Sequence, residues 1–262
     1  MRGLGILLAL VLALLASACG GSEATVQQAP QDAIVLAASK TNDAGTFKAE
    51  MSGTGDVAGQ SIAMSGTGEF DTTKQSGSMA MKMSFAGQDI NMQLVYAFPI
   101  MYMRFPPELM PALPEGKSWV KMDLEKIGRQ TGIDFGQLMQ SAQSDPSQGL
   151  QYLKGASDVQ AVGDEDVRGV ATTHYKGVVD LKSLAEENPE LKAQIDKIVA
   201  VSGISRVPVQ VWIDDDGFVR RMTQTLDGMT MTTELYDFGT DVSVEEPPAN
   251  DVVDFSALMG QS

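Results

Sequence analysis

Residues 76–97 read Ser-Gly-Ser-Met-Ala-Met-Lys-Met-Ser-Phe-Ala-Gly-Gln-Asp-Ile-Asn-Met-Gln-Leu-Val-Tyr-Ala. Met79, Met81, Met83 and Phe85 stand at one parity, as do Ile90, Met92, Leu94 and Tyr96, with Lys82, Ser84, Asn91 and Gln93 between them. Side chains of a strand alternate between the two faces of its sheet, so a period of two means a strand with one apolar face. Gly87-Gln88-Asp89 is a turn between two such strands. The pattern extends back through Phe47, Ala49 and Met51, then Ile62, Met64 and Phe70, with turns at Gly55-Asp56 and Asp71-Thr72-Thr73-Lys74. The region from Thr46 to about Arg104 therefore reads as an antiparallel meander. Met51-Ser52-Gly53-Thr54-Gly55 recurs as Met64-Ser65-Gly66-Thr67-Gly68. Glycines paired on neighbouring strands would let the sheet bend sharply and leave room beneath it.

Upstream, residues 24–46 place Val26, Ala29, Ala33, Ile34, Ala37 and Ala38 at helical spacing, ended by Asn42-Asp43-Ala44-Gly45. Downstream, Pro106, Pro107, Pro111 and Pro114 interrupt the meander, Trp119-Val120 resumes a strand, and residues 123–154 read as short helices. Strands are expected over 158–180, a helix over 183–202 behind Asn188-Pro189, and strands over 206–214, 217–227 and 229–238. Residues 242–262 read as a loosely attached wrap. The expected architecture is a single α+β domain, a long curved antiparallel sheet forming a half-barrel with helices packed on its concave side. Its boundaries are 28–250, with residues 251–262 as a C-terminal tail.

At the N-terminus, Arg2, the apolar run Leu4–Leu15 and Ala16-Ser17-Ala18 form a secretory signal peptide over residues 1–18. The chain's only cysteine, Cys19, stands at the cleavage junction ahead of Gly20-Gly21-Ser22-Glu23, a flexible tether that runs to residue 27. Acylation of Cys19 would anchor the chain to the cell membrane at its extracytoplasmic face, since two or more acyl chains suffice for stable attachment. The other reading is a secreted protein with one idle thiol.

Composition removes several function classes. The formal charge of −15 and the pI near 4.4 exclude nucleic acid as a partner, because phosphates call for a basic surface. One His and one Cys leave no set of metal ligands and no Cys–His nucleophile. Asp214-Asp215-Asp216-Gly217 has Thr225 where a calcium loop needs its bidentate glutamate, so it reads as a solvated hairpin turn. His174 reads as a hydrogen-bonded structural residue. No cofactor and no catalytic residue is expected; a hydrolase is the weakest reading, for no nucleophile–base pair is visible.

The 16 methionines carry the functional signal. Methionine is unbranched and polarisable, and it lines surfaces that adapt to several apolar partners. Ordinary core packing is the plain alternative, and a thioether Cu(I) site is a third. Strand parity nominates Met64, Met79, Met81, Met83, Met92, Leu94, Met101, Met103, Val209, Val211 and Met231 as lining an apolar cavity.

Four further stretches complete the reading: Trp119-Val120-Lys121-Met122-Asp123; Val162-Gly163-Asp164-Glu165-Asp166-Val167-Arg168-Gly169 with Thr172-Thr173-His174-Tyr175; Val209-Gln210-Val211-Trp212-Ile213-Asp214 with Gly217-Phe218-Val219-Arg220-Arg221; and Tyr236-Asp237-Phe238-Gly239. Together with the lipobox around Cys19 they resemble the LppX/LprAFG family of actinobacterial cell-envelope lipoproteins, over about residues 28–250. That family resembles LolA and LolB in fold. The resemblance implies a half-barrel over a large apolar cavity, and non-covalent carriage of acylated lipid or glycolipid in the cell envelope. It supplies no catalytic residues. The competing reading is a structural or interaction lipoprotein that docks on an envelope transporter or enzyme and holds no ligand.

Overall fold

The computed structural model describes residues 29–259, apart from residues 58, 86, 111, 112, 115, 132–155, 188, 190, 191, 193, 194, 197, 198, 201, 202 and 227. Among the described residues twelve strands form one unclosed sheet: β1 Thr46–Val57, β2 Gln60–Asp71, β3 Ser76–Phe85, β4 Gln88–Ala97, β5 Ile100–Arg104, β6 Trp119–Asp123, β7 Ala156–Val167, β8 Val170–Asp180, β9 Arg206–Asp214, β10 Val219–Leu226, β11 Met229–Tyr236 and β12 Val252–Asp254. Their order is β12-β6-β5-β4-β3-β2-β1-β11-β10-β9-β8-β7. Two meanders, β1–β6 and β7–β11, thus meet where β1 pairs antiparallel with β11. The fold is the single-domain α+β half-barrel that the sequence implies, with helices Pro30–Asp43 and Leu181–Glu187 packed on one face. Cys19 and most of residues 123–154 lie outside the described residues.

Helix α1, Pro30–Asp43, starts with proline in its first turn, where the missing N–H costs nothing. It buries Ile34, Ala37, Ala38 and Thr41. Ile34, Ala37 and Ala38 pack with Leu181, Leu184 and Ala185 of α3 (Leu181–Glu187) and with Ile195 onto Val209, Val211, Ile213 and Val219 of β9 and β10. Thr41 joins helix to sheet: its hydroxyl donates to the Ala37 carbonyl within the helix at 2.7 Å and accepts the Val219 N–H of β10 at 2.8 Å. Helix α2, Leu124–Thr131, follows β6 directly.

The C-terminal residues are more firmly held than their composition implies. β12 adds to the sheet edge in parallel with β6, pairing Val252 with Trp119 and Val253 with Val120, which makes the sheet mixed. Helix α4, Phe255–Met259, follows it. Val244 and Val252 cover Val95, Tyr102 and Trp119 on the face opposite the helices. The Tyr102 hydroxyl donates to Glu246 at 2.7 Å; burial and that carboxylate push its pKa up to about 12. The physical reason is an edge strand whose unpaired N–H and C=O groups take a complementary partner. Asp214 also departs from the solvated turn expected of it. It is buried, accepts the Phe218 N–H at 2.8 Å and pairs with Arg220 at 2.5 Å, while Asp215 and Asp216 are exposed.

The turn after β2 is held by another buried carboxylate. Asp71 accepts hydrogen bonds from the Thr73 hydroxyl at 2.6 Å and the Lys74 N–H at 2.9 Å, and pairs with the Lys74 ammonium at 3.0 Å. The Thr73 bond is the largest cause of a pKa lowered from 3.8 to about 2. A depressed carboxylate stabilises the fold above its unfolded pKa, and that stability is lost as pH falls through the folded value. Urea midpoints should therefore fall as pH drops from 3.8 toward 2, and Asp71→Asn should flatten that fall. Equal acid slopes in the two proteins would remove Asp71 from this role.

Candidate functional site: a methionine-rich sheet face

The strand register brings all eleven nominated residues to one face of the sheet, because directly opposed residues in an antiparallel pair project to the same side. One row runs Val209, Gln224, Met231, Gly53, Met64, Met83 across β9, β10, β11, β1, β2 and β3. The next runs Val211, Met222, Thr233, Met51, Gly66, Met81, Met92. A third holds Met79, Leu94 and Met103, and Met101 lies opposite Tyr96 in a fourth. This is also the face that carries α1 and α3.

The eleven do not share one environment. Val209 and Val211 are 3% and 0% exposed and fill the packed core beneath the helices. The other nine, Met64, Met79, Met81, Met83, Met92, Leu94, Met101, Met103 and Met231, are half-buried. The change in chemistry along the face follows the packing. Branched Val and Ile, stiff at χ1, sit where helices demand a fixed fit, and methionine takes over beyond them. Parity alone missed Met51, Met122 and Met222, which stand on the same face. Met51 shares the period-two signal and was legible; Met222 became visible only through its pairing with Val211.

The glycines behave differently from the expectation. The repeated Met-Ser-Gly-Thr-Gly segments pair antiparallel, so Gly53 faces Met64 and Gly66 faces Met51, and no glycine faces a glycine. Methionine side chains occupy the space that the missing Cβ atoms leave. A Cβ on Gly53 would lie 2.8 Å from Met64 Cγ and closer still to the Met231 sulfur; one on Gly66 would lie 3.2 Å from Met81 Cγ. Phe70 and Tyr96 cover Gly77 in the same way.

Over β1–β3 the opposite face is mostly polar. Shallow depressions of about 490 and 440 Å³ lie there, the first lined by Thr54, Asp56, Ser61, Ser84 and Thr230 among others, the second by Ser65, Thr67, Lys82, Asn91 and Gln93 among others. The β7–β8 hairpin carries register shifts at Ser157/Gln160 and Ala161/Gly163. Its turn residue Arg168 reaches Glu234 at 2.8 Å and Glu50 on β1. Arg221 pairs with Glu234 at 2.7 Å and with Glu165 at 3.0 Å, and Glu165 accepts the Trp212 indole N–H at 2.8 Å. That indole bond is the largest cause holding the Glu165 carboxyl below its usual range. His174 stacks on Trp212 with centroids 4.1 Å apart, and its Nε2 lies 3.0 Å from Gln210 Oε1. Burial pushes its pKa down. These groups satisfy one another, so the cluster works as a clasp. Among the described residues no three His, Cys, Asp or Glu side chains are grouped to hold a metal ion.

Residues 30–244 match the family described as LppX_LprAFG lipoprotein. The chain belongs to that family. It is 32% identical over 206 residues to an uncharacterized 31.2 kDa protein of Streptomyces griseus encoded between rplA and rplJ, covering 74% of this chain and 67% of that one. Its fold is similar to the crystal structure of the Mycobacterium tuberculosis lipoprotein LppX, with TM-score 0.49, 16% identity, and coverage of 82% and 99% of the two chains. LprF from Mycobacterium bovis gives TM-score 0.49, 16% identity, and coverage of 83% and 96%.

The methionine cover over Gly53 yields a prediction. Gly53→Val should lower stability by about 1–3 kcal/mol through overpacking against Met64 and Met231, and Met64→Ala in the same chain should recover part of that loss. Additive urea midpoints in the double variant would show that the two side chains do not compete for one space.

Proposed function

We propose that this lipoprotein binds acylated lipid or glycolipid against the half-buried methionine face and carries it in the cell envelope without covalent chemistry. The observation that supports this reading is the single-sided register: nine nominated side chains, eight of them methionine, converge on one face beyond the helix-packed core. Thioether side chains adapt to chains of different shape, which suits a carrier better than a rigid branched lining. Burial of a sixteen-carbon chain contributes on the order of 10 kcal/mol at about 0.8 kcal/mol per methylene before ordering costs, so affinity needs no catalytic group.

Attachment to the cell membrane at its extracytoplasmic face is assigned to acylated Cys19, exposed once residues 1–18 are removed, with residues 20–27 as the tether. Among the described residues no helix is long and apolar enough to cross a membrane, and a lipid anchor needs none. An envelope transporter is the partner class that would deliver or receive the cargo.

Native mass spectrometry of the chain from Gly20 onward, expressed in an actinobacterial host, should reveal an adduct of lipid mass. Met81→Arg and Met92→Arg should each fold and lose the adduct, because a guanidinium on the apolar face leaves an unpaired charge against the alkyl chain. A bare protein mass with no uptake of added diacyl lipid would transfer the function to docking on an envelope partner. Retention of lipid by both folded variants would move the site to another face.

A further inference from the structure

The strands run between two ends of the sheet, and the ends differ in chemistry. At one end lie the hairpin tips of β1–β2, β3–β4 and β10–β11, together with the segment that joins β5 to β6. At the other lie the turns after β2, β4, β7 and β9 and the junction of α1 with β1. Among the described residues five large apolar side chains are markedly exposed, and three of them stand at the tip end: Phe85 at 37%, Leu226 at 45% and Leu109 at 50%. An exposed apolar side chain is ordinary when single, but these three share one end of the molecule.

Phe85 and Leu226 stand at one level. Phe85 opposes Ile62 and Ile62 opposes Gly55, while Leu226 opposes Met229, whose Cα would lie 2.8 Å from a Cβ on Gly55. Charge at that level is partly self-neutralised: Lys82 pairs with Asp89 at 2.7 Å, and the Asp56 carboxylate accepts the Ser61 hydroxyl at 3.1 Å. The turn end is the reverse. Asp43, Asp215, Asp216, Asp237 and Asp241 are exposed there, and none of the five exposed apolar side chains is. An anionic lipid surface repels such an end.

The direction of α1 agrees. Its last turn is tied to the turn end, where Thr41 accepts the Val219 N–H and Lys40 donates to the Asp216 carbonyl. Ile34, about two turns earlier, belongs to the core with Leu181 and Leu184 of α3, which follows β8 at the tip end. The chain therefore enters α1 from the tip side. The ten residues between Cys19 and Pro30 reach at most about 35 Å, enough for the tips to rest on the bilayer that holds Cys19.

We propose that the hairpin-tip end is a membrane-contact surface: Phe85, Leu226 and Leu109 dip into the interface of the bilayer in which Cys19 is anchored, with the acidic turns pointing away. The inference rests on the Cys19 anchor assigned above and not on cargo. Lipid chains attach the protein, and the three apolar tips orient it. A few apolar side chains at the level of the head groups suffice for that, because the anchor already supplies the proximity.

The test couples the Cys19 thiol of the mature chain to a maleimide lipid in phosphatidylcholine vesicles that contain a lipid brominated on its acyl chains. Phe85→Trp, Leu226→Trp and Leu109→Trp should each add fluorescence that the bromine quenches, whereas the fluorescence added by Asp215→Trp should escape quenching. With Leu109→Trp as reporter, Phe85→Ser combined with Leu226→Ser should lower the ratio of docked to undocked protein at least about tenfold, for the apolar area no longer withdrawn from water. Equal quenching at both ends, stronger quenching at Asp215→Trp, or a ratio unmoved in the folded double serine variant would overturn the proposal and leave the anchor and cargo binding intact. The coupling stands in for acylation, so the anchor is read separately: a mature chain from the actinobacterial host whose mass carries no acyl group would overturn the Cys19 assignment itself.

Discussion

The seam between β1 and β11 is the constraint on which the molecule depends. It joins residues at opposite ends of the chain, with Lys48 opposite Tyr236 and Thr54 opposite Thr230, and it alone turns two meanders into one sheet. Its register also sets a problem: Glu50 stands directly opposite Glu234, and like charges so placed repel. Arg168 and Arg221 resolve it from the polar face, Arg168 bridging both carboxylates and Arg221 holding Glu234 and Glu165. Arg168 reaches that point from the turn of the bulged β7–β8 hairpin. Screening by solvent makes each exposed pair weak alone, but the network with Trp212 and His174 acts on one seam.

Once the seam is fixed, the apolar rows run without interruption from the helix-covered strands to the methionine-rich ones. The same face then serves two purposes. Under α1 and α3, Val209, Val211 and Leu184 make a core whose side chains have few rotamers and no slack. Across β1–β3, glycine and methionine replace them, and methionine side chains fill the space above Gly53 and Gly66. Rigidly packed side chains thus stand at one end of the sheet and adaptable ones at the other.

Much of this was legible in the chain. Period-two alternation over 46–104, the helix near Pro30, the hairpin turns and the common parity of the methionines are local properties, because φ, ψ and side-chain direction are set within a few residues. The family resemblance followed from local motifs as well, as in Trp119–Asp123 and His174-Tyr175. The parity argument placed the site residues on one face but could not divide them, since burial of Val211 and half-exposure of Met81 depend on where helices from distant segments come to rest.

Sequence alone therefore determined the strands, their apolar side and the class of surface they present, as each follows from nearest-neighbour geometry. Tertiary structure decided which residues oppose which: Gly53 against Met64 and Met231, Glu50 against Glu234, and Val252 against Trp119. Register between distant segments is selected by the summed packing and hydrogen bonding of whole strands, and a shift of one residue would exchange the two faces. No local pattern carries that sum. The methionine cover over Gly53, the clasp over the seam and the twelfth strand all arise from it.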